Sequence, residues 1–283
     1  MKSLAKTLKT TSFVVLTALV ACSPQIQKVI DPCAQTDKLD PTAPGVQVFT
    51  DNSGGNVPLA GSPFGYEMWT EGGNDNILMW FGPDQGGGAA FRTEWNMPHI
   101  YLGRVGYFWD EDKPYTEYKN IYCEFNYTRS GHGTAGGHSY IGIYGWTRDS
   151  LTEYYIVEDW FGNERQSDTV PIDTASIGPG ATIVGSFTVD GAVYDIIVNT
   201  RIEEPSIDGR TTFNQIFSVR QTPRQCGTIS VTEHFKKWKE LELPLGDRMY
   251  DCKFLIEAGS GIGWFESSYL KFTQEDQPRS IIE

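Results

Sequence analysis

The chain has 283 residues, room for one large domain or two small ones, and its 39% hydrophobic and 21% charged content exclude both a disordered chain and a multi-span membrane protein. Aromatic residues at 13% and 30 glycines suit short twisted strands, tight turns and flat stacking surfaces rather than helical bundles. A formal net charge of −13 argues against a nucleic-acid ligand, which needs a basic, counterion-releasing face, and favours a neutral polymer.

Residues 1–21 carry an early lysine and then the apolar run Phe13-Val14-Val15-Leu16-Thr17-Ala18-Leu19-Val20-Ala21, too short for a mature spanning helix and suited to an export signal. Leu19-Val20-Ala21-Cys22 resembles the bacterial lipoprotein box, which implies an acylated Cys22 and a membrane tether at the cell envelope, the alternative being a secreted protein. Residues 22–46 are expected to be the lipidated cysteine and a spacer, 47–275 the functional domain and 276–283 a tail. Cys33, Cys123, Cys226 and Cys252 permit two disulfides in any of three pairings. His99, His132, His138 and His234 make no ligand spacing, so no metal and no cofactor are expected.

From residue 47 the chain alternates aromatic runs with turns. Gly72-Gly73-Asn74-Asp75, Gly86-Gly87-Gly88, the stretch 131–137 and Asp190-Gly191 are spaced as hairpin connections. One helix is expected at Glu233 to Glu240, with Thr232 as its N-cap and Phe235, Trp238 and Leu241 on one apolar face. The fold expected is all-β: a jelly roll of two packed, curved antiparallel sheets forming a cleft, with a single α-helix.

Strand parity locates chemistry. In Tyr140-Ile141-Gly142-Ile143-Tyr144-Gly145-Trp146, one face carries Tyr, Gly, Tyr and Trp and the other two Ile. In Glu153-Tyr154-Tyr155-Ile156-Val157-Glu158, Glu153 shares a face with Tyr155 while Glu158 points the other way. A carboxylate in an aromatic groove suits sugars, whose C–H faces stack on rings while their hydroxyls seek polar groups.

Tyr144-Gly145-Trp146-Thr147-Arg148, the Glu153 to Glu158 block, Pro205-Ser206-Ile207-Asp208-Gly209, Thr211-Thr212-Phe213-Asn214-Gln215 and Ser218-Val219-Arg220 resemble, in order and spacing, glycoside hydrolase family 11, the compact endo-β-1,4-xylanases. The resemblance covers residues 64–272. It implies a hand-shaped jelly roll acting on xylan, a thumb tip at 205–209, Glu153 as nucleophile and Glu257 as general acid/base of a retaining hydrolysis. It further implies that Tyr155 and Arg201 position the nucleophile, that Tyr144, Pro205 and Gln215 bind sugar, and that Trp69, with Tyr66 beside it, forms a distal stacking platform. A monomer is expected. A non-catalytic carbohydrate-binding protein and a β-glucanase on the same architecture are the alternatives.

The sequence departs from the family pattern in places. Ala258-Gly259-Ser260-Gly261 follows Glu257, Phe217 and Ile216 replace usual aromatics, and His99 or Ile100 stands where the family carries Asn or Asp beside the acid. Tyr250, seven residues before Glu257, faces away from the cleft unless a bulge intervenes.

Overall fold

Alternation along the strands decides the architecture. In the strand Ser139–Arg148, Ile141 and Ile143 enter the main core, while Tyr140, Tyr144 and Trp146 join a second cluster on the opposite face. Thr152–Asp159 repeats the pattern, with Tyr154 and Ile156 in the core and Tyr155 and Val157 in the second cluster. Each inner strand therefore has two buried faces, one against a partner sheet and one lining a cleft.

The computed structural model describes residues 30–110, 113–131, 139–162 and 172–279. The expected signal, Cys22, His132 and His138 lie outside them. Two sheets form a β-jelly roll. The outer sheet has six strands in the order Gln47–Phe49, Ile77–Trp80, Phe91–Asn96, Ile262–Glu275, Asn120–Gly131 and Cys226–Ser230. The inner sheet runs Thr182–Val189, Ala192–Ser206, Gly209–Arg220, Thr152–Asp159, Ser139–Arg148, Asp251–Ala258, Ile100–Phe108, Gly65–Glu71 and Val57–Pro58, with Arg248–Met249 paired off this path. Between them Trp80, Phe91 and Phe125 of the outer sheet meet Tyr101, Ile141 and Phe254 of the inner, all fully buried. At about 25 cal/mol per Å² of apolar surface removed from water, this layer is the main source of stability.

The structure corrects several expectations. The sheets are not antiparallel throughout, because Gly209–Arg220 pairs parallel with Thr152–Asp159. Gly86–Gly88 and Asp190-Gly191 do connect neighbours in one sheet, but Gly72–Asp75 joins an inner strand to an outer one and is a crossover between layers. Among the described residues there are two α-helices, not one, since a single turn at Thr174–Ile177 is capped by Asp173. The main helix is Val231–Glu240 with Ser230 at its N-cap. Thr232 lies inside it, and its hydroxyl accepts the Ile121 amide hydrogen bond instead (2.8 Å). Phe235 and Trp238 are buried as the apolar face requires, and Trp238 Nε1 donates to Ser218 Oγ (2.9 Å).

Residues 31–46 are not a free spacer. A compact unit begins at Asp31, where a short turn Pro32–Ala34 is bound through a Cys33–Cys226 disulfide to the outer sheet's edge strand. Asn126 Nδ2 donates to the carbonyls of Pro32, Cys33 and Gln35, fixing the segment on the sheet. Of the two disulfides the cysteine count permits, one forms; Cys123 and Cys252 are free thiols buried in the core.

Candidate active site

Register brings two carboxyls onto the cleft face of the inner sheet. Glu153 lies between Trp146 on one neighbouring strand and Gln215 on the other. Glu257 lies between Tyr140 and Leu102. Both line one cavity of about 460 Å³, together with Trp69, Tyr144, Tyr155 and Gln215.

Glu153 is gripped from several sides. Tyr144 Oη donates to its Oε1 (2.8 Å) and Gln215 Nε2 to its Oε2 (2.6 Å). Each donor is oriented by a second residue. Trp146 Nε1, which can only donate, gives its proton to Tyr144 Oη, leaving the tyrosine proton for Glu153. Asn199 Nδ2 donates to Gln215 Oε1 (3.1 Å), so the Gln215 amide presents its nitrogen to the carboxylate. Tyr155 stands between the pair, its Oη 3.4 Å from Glu257 Oε2 and also near Glu153, so that its single proton serves one carboxyl at a time.

These surroundings separate the two carboxyls chemically. Burial raises the pKa of Glu153, but the hydrogen bonds from Gln215, Tyr144 and Tyr155 and the charge of Arg104 oppose the rise. Glu257 is pushed up to about 8, first by burial and then by the negative charge of Glu153. Glu257 therefore tends to hold its proton near neutral pH beside a Glu153 whose donors favour its ionised form, the division between acid and nucleophile that glycosidic cleavage demands. Among the described residues no cluster of His, Cys, Asp and Glu is suited to a metal ion.

Residues 62–268 match the family model of glycosyl hydrolases family 11. The chain belongs to this family. It is 41% identical over 232 residues to endo-1,4-beta-xylanase C of Fibrobacter succinogenes, covering 81% of this chain and 34% of that protein. It is 37% identical to endo-1,4-beta-xylanase A of Bacillus pumilus, covering 77% and 82% respectively. A crystal structure of a cysteine-substituted ENZbleach xylanase superposes with a TM-score of 0.81 at 56% identity, over 88% of this chain and 92% of that one. The chain spans only about a third of the length of several curated relatives, of which the Fibrobacter protein is one.

Within this family 11 cleft, the residues expected from sequence are placed unequally. Trp69 is 45% exposed at the cavity rim, with Nε1 donating to Glu71 (3.3 Å). Tyr66 is not beside it, because strand parity turns it to the core, where it stacks on Phe49. Tyr144 and Gln215, expected to bind sugar, line the cavity and donate to Glu153. Arg201 lines the cavity but pairs with Glu204 (3.7 Å). Pro205 lines the cavity too, on a hairpin bent over it.

Beside Glu257 the cross-strand residue is Leu102; Ile100 lies two residues further along the same face and His99 is exposed, its amide bound to Glu71 O. Tyr250 does enter the cleft, because Met249 pairs with Thr147 but Lys253 with Tyr144, so four steps on one strand oppose three on the other. Phe217, where an aromatic of another kind was usual, stacks on Tyr155 at 4.5 Å and 8°.

Sequence reasoning missed Glu67 and Arg104, which line the cavity, and Asp251 and Lys253, which complete a charged layer with them. Parity held the signal: Glu67 is two residues from Trp69, and Lys253 four from Glu257, on the cleft-facing side of their strands. Asn199 was missed as well, being legible only once its pairing with Gln215 across the thumb strands is known.

Proposed function

We propose that the protein is an endo-1,4-β-xylanase that cleaves internal β-1,4 bonds of xylan with retention of configuration. The observation that carries this reading is the pair of buried carboxyls in one aromatic cavity, Glu153 bound by two hydrogen-bond donors and Glu257 pushed up to about 8. Glu257 protonates the glycosidic oxygen as Glu153 attacks the anomeric carbon. The C–O bond breaks, a glycosyl ester forms on Glu153, and the shortened chain leaves with the proton. Glu257, now ionised, takes a proton from water, which attacks the same carbon and releases Glu153. Tyr144 and Gln215 are the positioning groups for the nucleophile, Tyr155 couples the two carboxyls, Trp69 stacks a sugar ring at the rim, and Pro205 and Arg201 form the thumb-side wall. The xylanase names of the family relatives support xylan over a glucan.

The test is reducing-sugar release from xylan, carboxymethylcellulose and an inert polysaccharide, with NMR of the first product. Release from xylan alone, with the β-anomer appearing first, is expected. The α-anomer first excludes a retaining pair, and no release from any substrate leaves a carbohydrate-binding protein.

We also propose export with a lipid on Cys22, on the strength of Leu19-Val20-Ala21-Cys22. Expressed protein should partition into membranes and Cys22→Ser should not; a fully soluble wild type after export rejects the anchor.

A further inference from the structure

Glu67, Arg104, Asp251 and Lys253 form a buried layer that the hydrolysis itself does not consume. Arg104 Nε contacts Glu67 Oε2 at 2.7 Å, and Lys253 Nζ lies 3.0 Å from the same oxygen and 2.6 Å from Asp251 Oδ2. Glu67 is held down at about 2: burial opposes ionisation, but the charges of Arg104 and Lys253 outweigh it. Buried ion pairs contribute little net stability compared with apolar packing, so their position is more telling than their number.

Arg104 is the cation of this layer that lines the cavity; Lys253 lies beneath it. Its Nη1 is buried and meets no oxygen or nitrogen acceptor. What the guanidinium meets instead is the ring of Tyr144, whose centroid is 4.4 Å from the guanidinium carbon. Tyr144 in turn donates to the nucleophile. The positive end of the Glu67–Arg104 pair is therefore turned toward the catalytic carboxyls.

We propose that Arg104 is a positioning residue, holding a cation against the face of Tyr144 so that the tyrosine grips Glu153 and the nucleophile stays anionic. This rests on the retaining reading above. The groups around Arg104 are Glu67 from its strand neighbour, Tyr144 from the strand before Glu153, Asp251 and Lys253 from the strand of Glu257, and Tyr250 just before that strand. Around Glu153 stand Tyr144, Tyr155 and Gln215, and Glu257 beyond them also feels Arg201. The charge of Arg104 favours ionisation of both Glu153 and Glu257.

The pH dependence of kcat/KM on an aryl β-xylobioside separates this role from a structural one, with folding of each variant checked by circular dichroism. Arg104→Met should move both limbs of the bell upward by about half a pH unit or more, since loss of a nearby cation disfavours both carboxylates. Arg104→Lys should return most of that shift while leaving a lower kcat, because an ammonium keeps the charge but not the planar stack on Tyr144. Glu67→Gln, which removes the opposing charge, should move both limbs downward, and it keeps the test decisive where Arg104→Met fails to fold. A merely structural Arg104 lowers rates at every pH and leaves the limbs in place. Unmoved limbs in a folded Arg104→Met, or in Glu67→Gln, overturn the proposal, provided that wild type shows its own bell on this substrate and cleaves xylan. A wild type without activity rejects the hydrolase reading instead.

Discussion

Glu153 and Glu257 are chemically identical side chains that the surroundings make different. Glu153 accepts from Tyr144 and Gln215, whereas Glu257 is pushed up by burial and then by the charge of its neighbour. Replacing Glu153 by Gln keeps the shape but removes the nucleophile, and turnover should fall by about a thousandfold or more while xylo-oligosaccharide binding persists. In the same variant Glu257, titrated by NMR, should move down from about 8 but stay raised, since burial is the larger cause and persists. An unchanged midpoint would show that the two carboxyls are not coupled. The raised value also has a stability consequence. A carboxyl whose folded pKa exceeds its unfolded one binds more protons when folded, so its contribution is present below about 4.5 and is lost as pH rises to about 8. Glu257→Gln should therefore raise Tm relative to wild type at pH 8 and above, with little difference at pH 4, measured by calorimetry across that range.

At the scale of elements, the thumb shows how a hairpin is aimed. The thumb tip lies where sequence placed it, at 205–209, and Gly209, at φ +81°, closes the tight turn. The bend itself arises earlier. Arg201 pairs with Phe213 and Glu204 with Thr211, so three steps oppose two, and Glu203 takes a left-handed φ of +53° while Ile202 is 72% exposed. This bulge turns the hairpin over the cleft. Its tip is then held by an ion pair between Asp208 and Arg148, at the end of the Tyr144 strand, with Arg148 also over the Tyr250 ring. A part-exposed pair contributes about 0.2–1 kcal/mol. Asp208→Asn should accordingly raise KM for polymeric xylan by only about two- to fivefold, and wild type should show the same weakening in high salt. A variant that binds xylan as wild type does, with its salt dependence intact, would remove the latch.

Across the whole molecule, the Cys33–Cys226 bond joins positions 193 residues apart and ties the segment before the first strand to the edge of the outer sheet. Cross-linking so long a loop restricts the unfolded chain and contributes about 2–5 kcal/mol. Cys33→Ser, or wild type under reducing conditions, should lose about 5–15 °C in Tm. Cys123 and Cys252 are fully buried and burial pushes both thiols up, so neither should react with iodoacetamide until the protein unfolds. Labelling of the native protein at either site would contradict the packing described.

What the sequence determined by itself was local and periodic. Alternation in 140–146 and 153–158 was enough to divide core from cleft, because side chains on a strand change face at every residue and Ile, Tyr and Glu differ sharply in what burial costs them. The resemblance of successive blocks then placed Glu153 and Glu257 in one site. Tertiary structure decided whatever depends on which distant strands become neighbours. Glu67, Arg104 and Lys253 are remote in sequence, and only the strand order makes them contacts. The pairing of Cys33 with Cys226 depends equally on docking of the first segment. The facing of Tyr250 and the bend of the thumb were left open for a sharper reason: a single extra residue in a ladder reverses the facing of the strand on one side of it, and whether a strand accommodates that residue is settled by its partners' hydrogen bonds rather than by its own composition.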